Sequence, residues 1–368
     1  MRKFFLLILV CVCFLVGGTP NAQAEDWKVF RGNVERTGNG VSIQPSSSLK
    51  GVLLSKLEVA DAVQSSPAIY KDHVAIFGAN DGYVRSVDFN IGTLLWSFGT
   101  GNWITSSPSI YKGKVFVTSY DSKLYCLDAE SGKLLWQFTT HSSIASSPAV
   151  ADDTVFFGSN DGYVYAVNIK TGWQKWRFKT KGAVQGSPVV SDGVVYVGND
   201  EGKLFAIEGA TGKFLWRAVV GGVIRSTPAV ENGYLYFTSD DGKLYCARIK
   251  HRAVIWKYNS KGQINTSPLV LNNKVFFGNI KGDLTALNAS NGTFMWKYRA
   301  KQAIYSSPSA SKGNIYFGTN SGDLVALSAA TGRLVWSFNS KDEIPTTPAV
   351  TSNKIVFANI EGELFVVE

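Results

Sequence analysis

The sequence predicts an all-β fold, an eight-bladed β-propeller of four-stranded antiparallel blades closed by its own N-terminal strand. Three observations predict it. A tryptophan recurs every 40 residues, at Trp96, Trp136, Trp176, Trp216, Trp256, Trp296 and Trp336. A Ser-Pro or Thr-Pro keeps step with it, at Pro67, Pro108, Pro148, Pro188, Pro228, Pro268, Pro308 and Pro348, with one step of 41 and six of 40. Between them lie short runs of β-branched and aromatic residues punctuated by Gly- and Asp-containing turns, which is how a propeller blade looks in sequence.

The copy at 146–176 serves to place the four strands. Ser147 to Val150 enters as the first, and Asp152-Asp153 turns it. Thr154 to Gly158 returns, and Ser159 to Gly162 makes the next tight turn. Tyr163 to Asn168 is the third strand, alternating Tyr163, Tyr165 and Val167 against Val164 and Ala166. Lys170-Thr171-Gly172 turns again into Gln174 to Phe178. No stretch shows helical periodicity.

Blade number and closure follow from arithmetic. Eight Ser/Thr-Pro starts require eight first strands, yet only seven Trp strands follow them. The chain stops at ELFVVE (363–368), a third strand without its fourth. Val52 to Val59 lies 40 residues before the first Trp strand, with Ser55 in the Trp slot. It is therefore expected to complete blade eight, which removes the free sheet edges. The seven Trp side chains are expected to dock between blades, each burying on the order of 200 Å². A glycine four residues earlier permits a positive φ, except in ARIKHRAVIW (247–256), whose turn should differ.

Outside the repeats, Arg2 and Lys3 precede an apolar run from Phe4 to Val16, and Ala22-Gln23-Ala24 fits a cleavage site. Residues 1–24 are read as a signal peptide cleaved after Ala24, 25–51 as an N-terminal segment, and 52–368 as the propeller. Trp27 and Phe30 are expected to pack on one face of the repeat domain. The formal net charge of +9 falls to +7 once Arg2 and Lys3 leave. That is too mild to indicate nucleic acid. Charged residues are 18 % and hydrophobic residues 45 %, a balance that excludes disorder. Cys126 and Cys246 share one repeat slot three copies apart, too far for a disulfide in a closed ring, and read as small buried apolar residues.

LDAESGKLLW (127–136), IEGATGKFLW (207–216) and LSAATGRLVW (327–336) resemble the tryptophan-docking motif of quinoprotein dehydrogenases. The short regular chain is more similar to the PQQ-like-repeat β-propellers, which include outer-membrane protein assembly factors. The resemblance covers about 52–368 and implies the propeller fold. It also implies two functions, catalysis with PQQ or binding of a protein partner. The enzymes add a cofactor chamber built from extra loops, adjacent cysteines and metal ligands. Here the copies hold their spacing with one single-residue insertion between Pro67 and Gly82, which leaves little loop for a chamber.

The sequence offers little other chemistry. His73, His141 and His251 fall in unrelated slots and read as surface or turn residues. Asn160-Asp161-Gly162 and Asp240-Asp241-Gly242 lack the alternating ligands of a calcium loop and read as hairpin turns. The hydroxyls before the prolines are expected to satisfy backbone groups where each strand begins, the alternative being a small polar ligand in the channel. No catalytic residue, metal site or cofactor is expected.

Binding remains. In the assembly factors an apolar–Arg cluster on one inter-blade loop, with acids on the next, contacts the partner. The matching positions are Val223, Ile224 and Arg225, then Gln263 and Asn265, which stand where the family carries acids. The expectation is a periplasmic or secreted, monomeric, non-enzymatic scaffold. Its partner would be an envelope protein such as an outer-membrane assembly component, with no nucleic acid and no membrane span after cleavage. The alternative is binding of a polysaccharide or anionic polymer. For that reading, Arg177, Lys179 and Lys181, Lys257 and Lys261, and Lys297, Arg299 and Lys301 form a basic belt, although outer-strand lysines also defend sheet edges.

Overall fold

The computed structural model describes residues 50–59 and 61–368. The expected signal peptide, its cleavage site, Trp27 and Phe30 lie outside them. The strands group into eight four-stranded sheets, each pairing antiparallel in chain order. In blade 3 the strands are Ala149–Ala151, Thr154–Gly158, Tyr163–Asn168 and Gln174–Lys179. The innermost strand starts after the proline rather than at Ser147, because the proline has no N–H to give and Ser147 turns its own N–H toward the next blade.

Blade 8 is the composite that the strand count requires. Leu53–Glu58 pairs with Glu363–Val367 and completes the sheet begun by Ala349–Val350 and Ile355–Ala358. Ser55 lies opposite Val366, with a bulge beside it. Trp176 lies opposite Ala166 with the same bulge, so Ser55 does hold the Trp slot. The lysine and valine before the strand also join in, as the Lys50 and Val52 amides both donate to the Glu368 carbonyl.

Blades meet in three layers. At the rim six of the seven Trp indoles lie on the turn glycine of the following blade, Trp216 being the exception. A methyl added to Gly132 would stand 2.6 Å from Trp96, and one added to Gly51 would stand 2.6 Å from Trp336. The indole N–H of Trp96, Trp136 and Trp176 donates to the carbonyl of Ala129, Ile169 and Gly209 at 3.0, 3.1 and 2.8 Å. Between rim and axis, apolar clusters span neighbouring sheets. One joins Ile76 and Trp96 of blade 1 to Val115 and Leu127 of blade 2.

The third layer surrounds the axis. The amide N–H of Ser66 donates to the Ser107 hydroxyl at 3.0 Å, Ser107 to Ser147 at 2.9 Å, and Ser147 to Ser187 at 2.9 Å. Thr227 donates to Ser267 and Ser267 to Ser307, both at 2.9 Å. Thr347 donates to Ser66 at 2.8 Å and joins blade 8 to blade 1 across 281 residues. The hydroxyls do satisfy backbone groups, but those of the preceding blade and not local ones. Hydroxyls one residue earlier act locally in several blades, while that of Ser306 reaches the Thr346 carbonyl of the next blade at 2.7 Å. Ser226 exchanges hydrogen bonds with the Thr238 backbone 12 residues on, and Thr266 does so with Gly278.

Blade 5 departs from its siblings where expected. Ile249–His251 forms a short 3-10 turn, a helical element that the strand periodicity did not predict. Arg252 closes it at φ +54°, where six sibling turns place glycine at +68° to +76°. Cys126 and Cys246 are free, fully buried thiols.

Two substitutions measure these layers. Ser147→Ala leaves the Ser107 N–H buried without its acceptor and should lower stability by about 1–3 kcal/mol in urea melts. Ser352→Ala, on an exposed turn, should stay within about 0.5 kcal/mol. Gly132→Ala puts a side chain at φ +68° and into Trp96. It should cost at least about 1–3 kcal/mol, and a neutral result in the same melts would remove the indole–glycine contact from the account.

Candidate functional site

Two sets of connections share one face of the ring. The loops that run from an outermost strand to the next innermost one lie against the turns between second and third strands. Asp240 N, for example, donates to the Val223 carbonyl at 2.9 Å. Near the axis on this face the structure gathers charged and amide side chains from blades 4 to 6. Arg225 is the centre of the group. Its Nη1 donates to Asp240 of the same blade, and its Nε donates to Gln185 Oε1 of blade 4 at 3.1 Å. Asp240 is 17 % exposed at the side chain and Arg225 46 % exposed, so the carboxylate is the more desolvated partner.

Burial pushes the Asp240 carboxyl above its ordinary range, while the Arg225 charge and the Gln263 amide hold it back. Asp200 of blade 4 is also pushed up by burial and by the charge of Asp240, with Arg225 opposing. Asp200 Oδ1 is buried without a hydrogen-bond partner. The result is one guanidinium set among two strained carboxylates and two amides, a place that can exchange its internal pairs for those of a ligand or protein.

Of the sequence-predicted residues, Arg225 and Gln263 come together over Asp240, and Val223 supplies its carbonyl beneath them and is half-buried. Asn265 is exposed on the neighbouring loop. Ile224 is a correction. It is 0 % exposed and packs over Gly198, where an added methyl would stand 2.2 Å from it, so its side chain serves the core. The signal was present in the sequence, because Ile104, Ile144, Val184, Ile264, Ile304 and Ile344 repeat that slot. Gln185, Asp200 and Asp240 were missed. Comparing copies slot by slot would have found the two acids, which stand where other blades carry Asn80, Asn160 and Asn320.

Other candidate chemistry is absorbed by structure. Asp161 accepts from the Tyr165 hydroxyl at 2.7 Å and from the Tyr163 and His141 amides, both at 3.1 Å, which occupies the carboxylate of that supposed calcium loop. In the basic belt, Arg177 stacks on the Tyr163 ring at 4.9 Å, and Lys297 lies 3.3 Å from Asp283. Among the described residues no three His, Cys, Asp or Glu side chains gather as a metal site. Nor do the residues fit a quinone cofactor of the dehydrogenase type. Cys126 and Cys246 sit in separate blades, their thiols pushed up to about 12 by burial, and the connections on both faces are short turns. No helix of the described residues is long and apolar enough to cross a membrane.

The family model described as "Beta-alanine-activating enzyme, beta-propeller" matches residues 150–368, more than half of the chain. The chain belongs to this propeller family. BamB from Moraxella catarrhalis has a similar structure, with a TM-score of 0.76 and 21 % identity over 86 % of this chain and 99 % of that one. Quinohemoprotein alcohol dehydrogenase from Comamonas testosteroni gives a TM-score of 0.80 and 14 % identity over 94 % of this chain and 81 % of its own. The computationally designed Ika8 protein gives 0.77 and 19 % identity over 87 % and 99 %. At such identities these similarities concern the fold: a PQQ-like propeller resembling BamB. No curated protein matches the sequence.

Arg225→Ala tests the electrostatics of this face. Without the guanidinium both carboxyls should titrate higher still. A carboxyl raised in the folded state contributes stability that is fully present below its unfolded value of about 3.9 and is lost as pH rises through the folded value. The deficit of the variant should therefore be on the order of 1 kcal/mol at pH 7 and shrink toward pH 4 in urea melts. A deficit equal at both pH values would show that Arg225 does not offset the two acids.

Proposed function

We propose that the chain is an exported, monomeric, non-enzymatic propeller that binds a protein partner in the cell envelope, through the face centred on Arg225. One observation carries the reading. The side chains that break the repeat on this face converge at blades 4 and 5, where Arg225 bridges Gln185 and Asp240 and remains half exposed. Arginine at the centre of such a patch is a common anchor of protein interfaces. The resemblance of the repeats to the assembly-factor branch makes an outer-membrane assembly component the partner to test first. The even spacing of the blades supports a role without catalysis, since it leaves no long loop to build a chamber over a substrate.

A second reading, polysaccharide binding, is favoured by one feature of the same face. Trp103 is 56 % exposed and faces Tyr120 at 6.4 Å between centroids, in slots that are polar in blade 3 (Ser143 and Asn160). Exposed aromatic rings of this kind stack on sugar faces as readily as they anchor proteins.

Affinity capture from an envelope fraction with the native chain, Arg225→Glu and Trp103→Ala separates the two. The scaffold reading expects a defined protein partner that is lost with Arg225→Glu while the variant keeps its native far-ultraviolet spectrum. Capture of polysaccharide that depends on Trp103, with no protein retained, would replace it by the second reading.

A further inference from the structure

On the opposite face, away from Arg225, two departures from the repeat meet at one blade boundary. The first is Gly209, in a slot that elsewhere holds Phe89, Ala129, Ile169, Ile249, Ala289 or Ala329. The second is Lys175, the bulge residue opposite the third strand of blade 3. Its counterparts in other blades are apolar, among them Leu95, Leu135, Leu215, Ile255, Met295 and Val335. Both line a cavity of about 230 Å³ between blades 3 and 4.

The cavity owes its space to Gly209. A methyl built there would stand 2.9 Å from the Gly193 carbonyl oxygen, which must give way, and 3.6 Å from Phe156 Cζ, so the side chains of sibling copies would project into the same volume. Its walls are Phe156, Val190, Ala210 and the backbone of Gly193 and Gly209, an apolar lining. Polar chemistry is confined to one side. Lys175 Nζ donates to Thr154 Oγ1 at 2.5 Å, and Thr154 Oγ1 donates to the Asp152 carbonyl at 3.1 Å. An ammonium has three N–H groups. Thr154 takes one and fixes the head in place, which leaves two for another acceptor. Asp152 also lines the cavity, and beside the Lys112 hydrogen bond the Lys175 charge helps hold the carboxyl of the adjacent Asp153 below its ordinary range.

We propose that this cavity is a binding site for a small molecule carrying a carboxylate on an apolar body. The carboxylate meets the Lys175 ammonium, a charge-assisted hydrogen bond that is stronger than a neutral one. The apolar body fills the space over Phe156 and Val190. At about 30 Å³ per water the volume takes roughly seven to ten non-hydrogen atoms, the size of an aromatic monocarboxylate. This site stands independently of the partner-binding reading, since it uses other residues on the other face.

The test is ligand-detected saturation-transfer NMR at pH 7 on the full chain, with benzoate, benzyl alcohol and benzylamine as probes. The variants are Lys175→Leu and Gly209→Ala. Each installs the residue that sibling blades carry, and thermal melts check that each folds. Benzoate is expected to bind the native chain and to weaken about tenfold or more with Lys175→Leu, the scale of a lost hydrogen bond to a charged group. Gly209→Ala should weaken benzoate and benzyl alcohol together. Absence of a benzoate signal overturns the proposal, as does equal benzoate binding by the native chain and Lys175→Leu. Tighter binding of benzylamine than of benzoate would assign the cavity to Asp152 and overturn it too. Should Gly209→Ala not fold, Lys175→Leu with the three probes decides alone.

Discussion

Eight sheets that converge on a narrow axis bring their innermost backbones into a space that water reaches poorly, and every amide there needs an acceptor. The Ser/Thr-Pro pairs are the answer this chain repeats. Proline removes one donor from the crowded position and holds the preceding residue in an extended conformation. That residue keeps its own N–H, and the hydroxyl one blade further on accepts it, as Ser147 Oγ does from Ser107 N. Six of the eight blade junctions carry such a bond. The bond from Thr347 N to Ser66 Oγ spans the junction of the last blade with the first, so it exists only in a closed ring.

The outer layers obey the same closure. Trp336 of the last Trp strand needs a glycine to lie on, and Gly51, just before the first strand, provides it. Leu53–Glu58 then supplies the missing fourth strand. The cost appears at Ser55, whose hydroxyl is buried without a partner in the slot that holds an indole elsewhere. Blade 5 shows the complementary case. Its turn lacks the glycine, the chain tightens into the 3-10 turn at 249–251, and Arg252 takes the left-handed conformation instead. Trp216 stays 7 % exposed, so the rim tolerates a local change of turn without losing the buried indole.

How much of this could be read in the sequence depended on the range of each interaction. Strand boundaries such as Thr154–Gly158 and Tyr163–Asn168 were legible because alternation and turn residues are local signals. Closure was legible because strands can be counted. The hydroxyl ring was visible only as a recurrence. A Ser before a Pro looks the same whether its hydroxyl serves its own strand or one 40 residues away, and only the fold separates the two. Ile224 was misplaced for a related reason. Read beside Val223 and Arg225 it looks like part of an exposed patch, but read down the column of copies it is a core residue. Asp240 was read only as part of a hairpin turn and Asp200 was passed over, because an acid in a turn shows no further role until a guanidinium lies near it.

A frame fixed by backbone amides, hydroxyls, indoles and glycines leaves the remaining slots free to vary without loss of the ring. Variation in those slots carries information that the repeat itself does not. On one face it concentrates at Arg225, Asp240 and Gln185, where charge gathers on a half-exposed surface. On the other it concentrates at Lys175 and Gly209, where a side chain is withdrawn and a charge is placed at the edge of the space it leaves. Neither group contributes to closure, since Trp176 still donates to the Gly209 carbonyl and Ser226 still bonds the Thr238 backbone. Residues that the ring does not need, clustered at two blade boundaries on opposite faces, are where binding can be gained or lost while the ring stays closed.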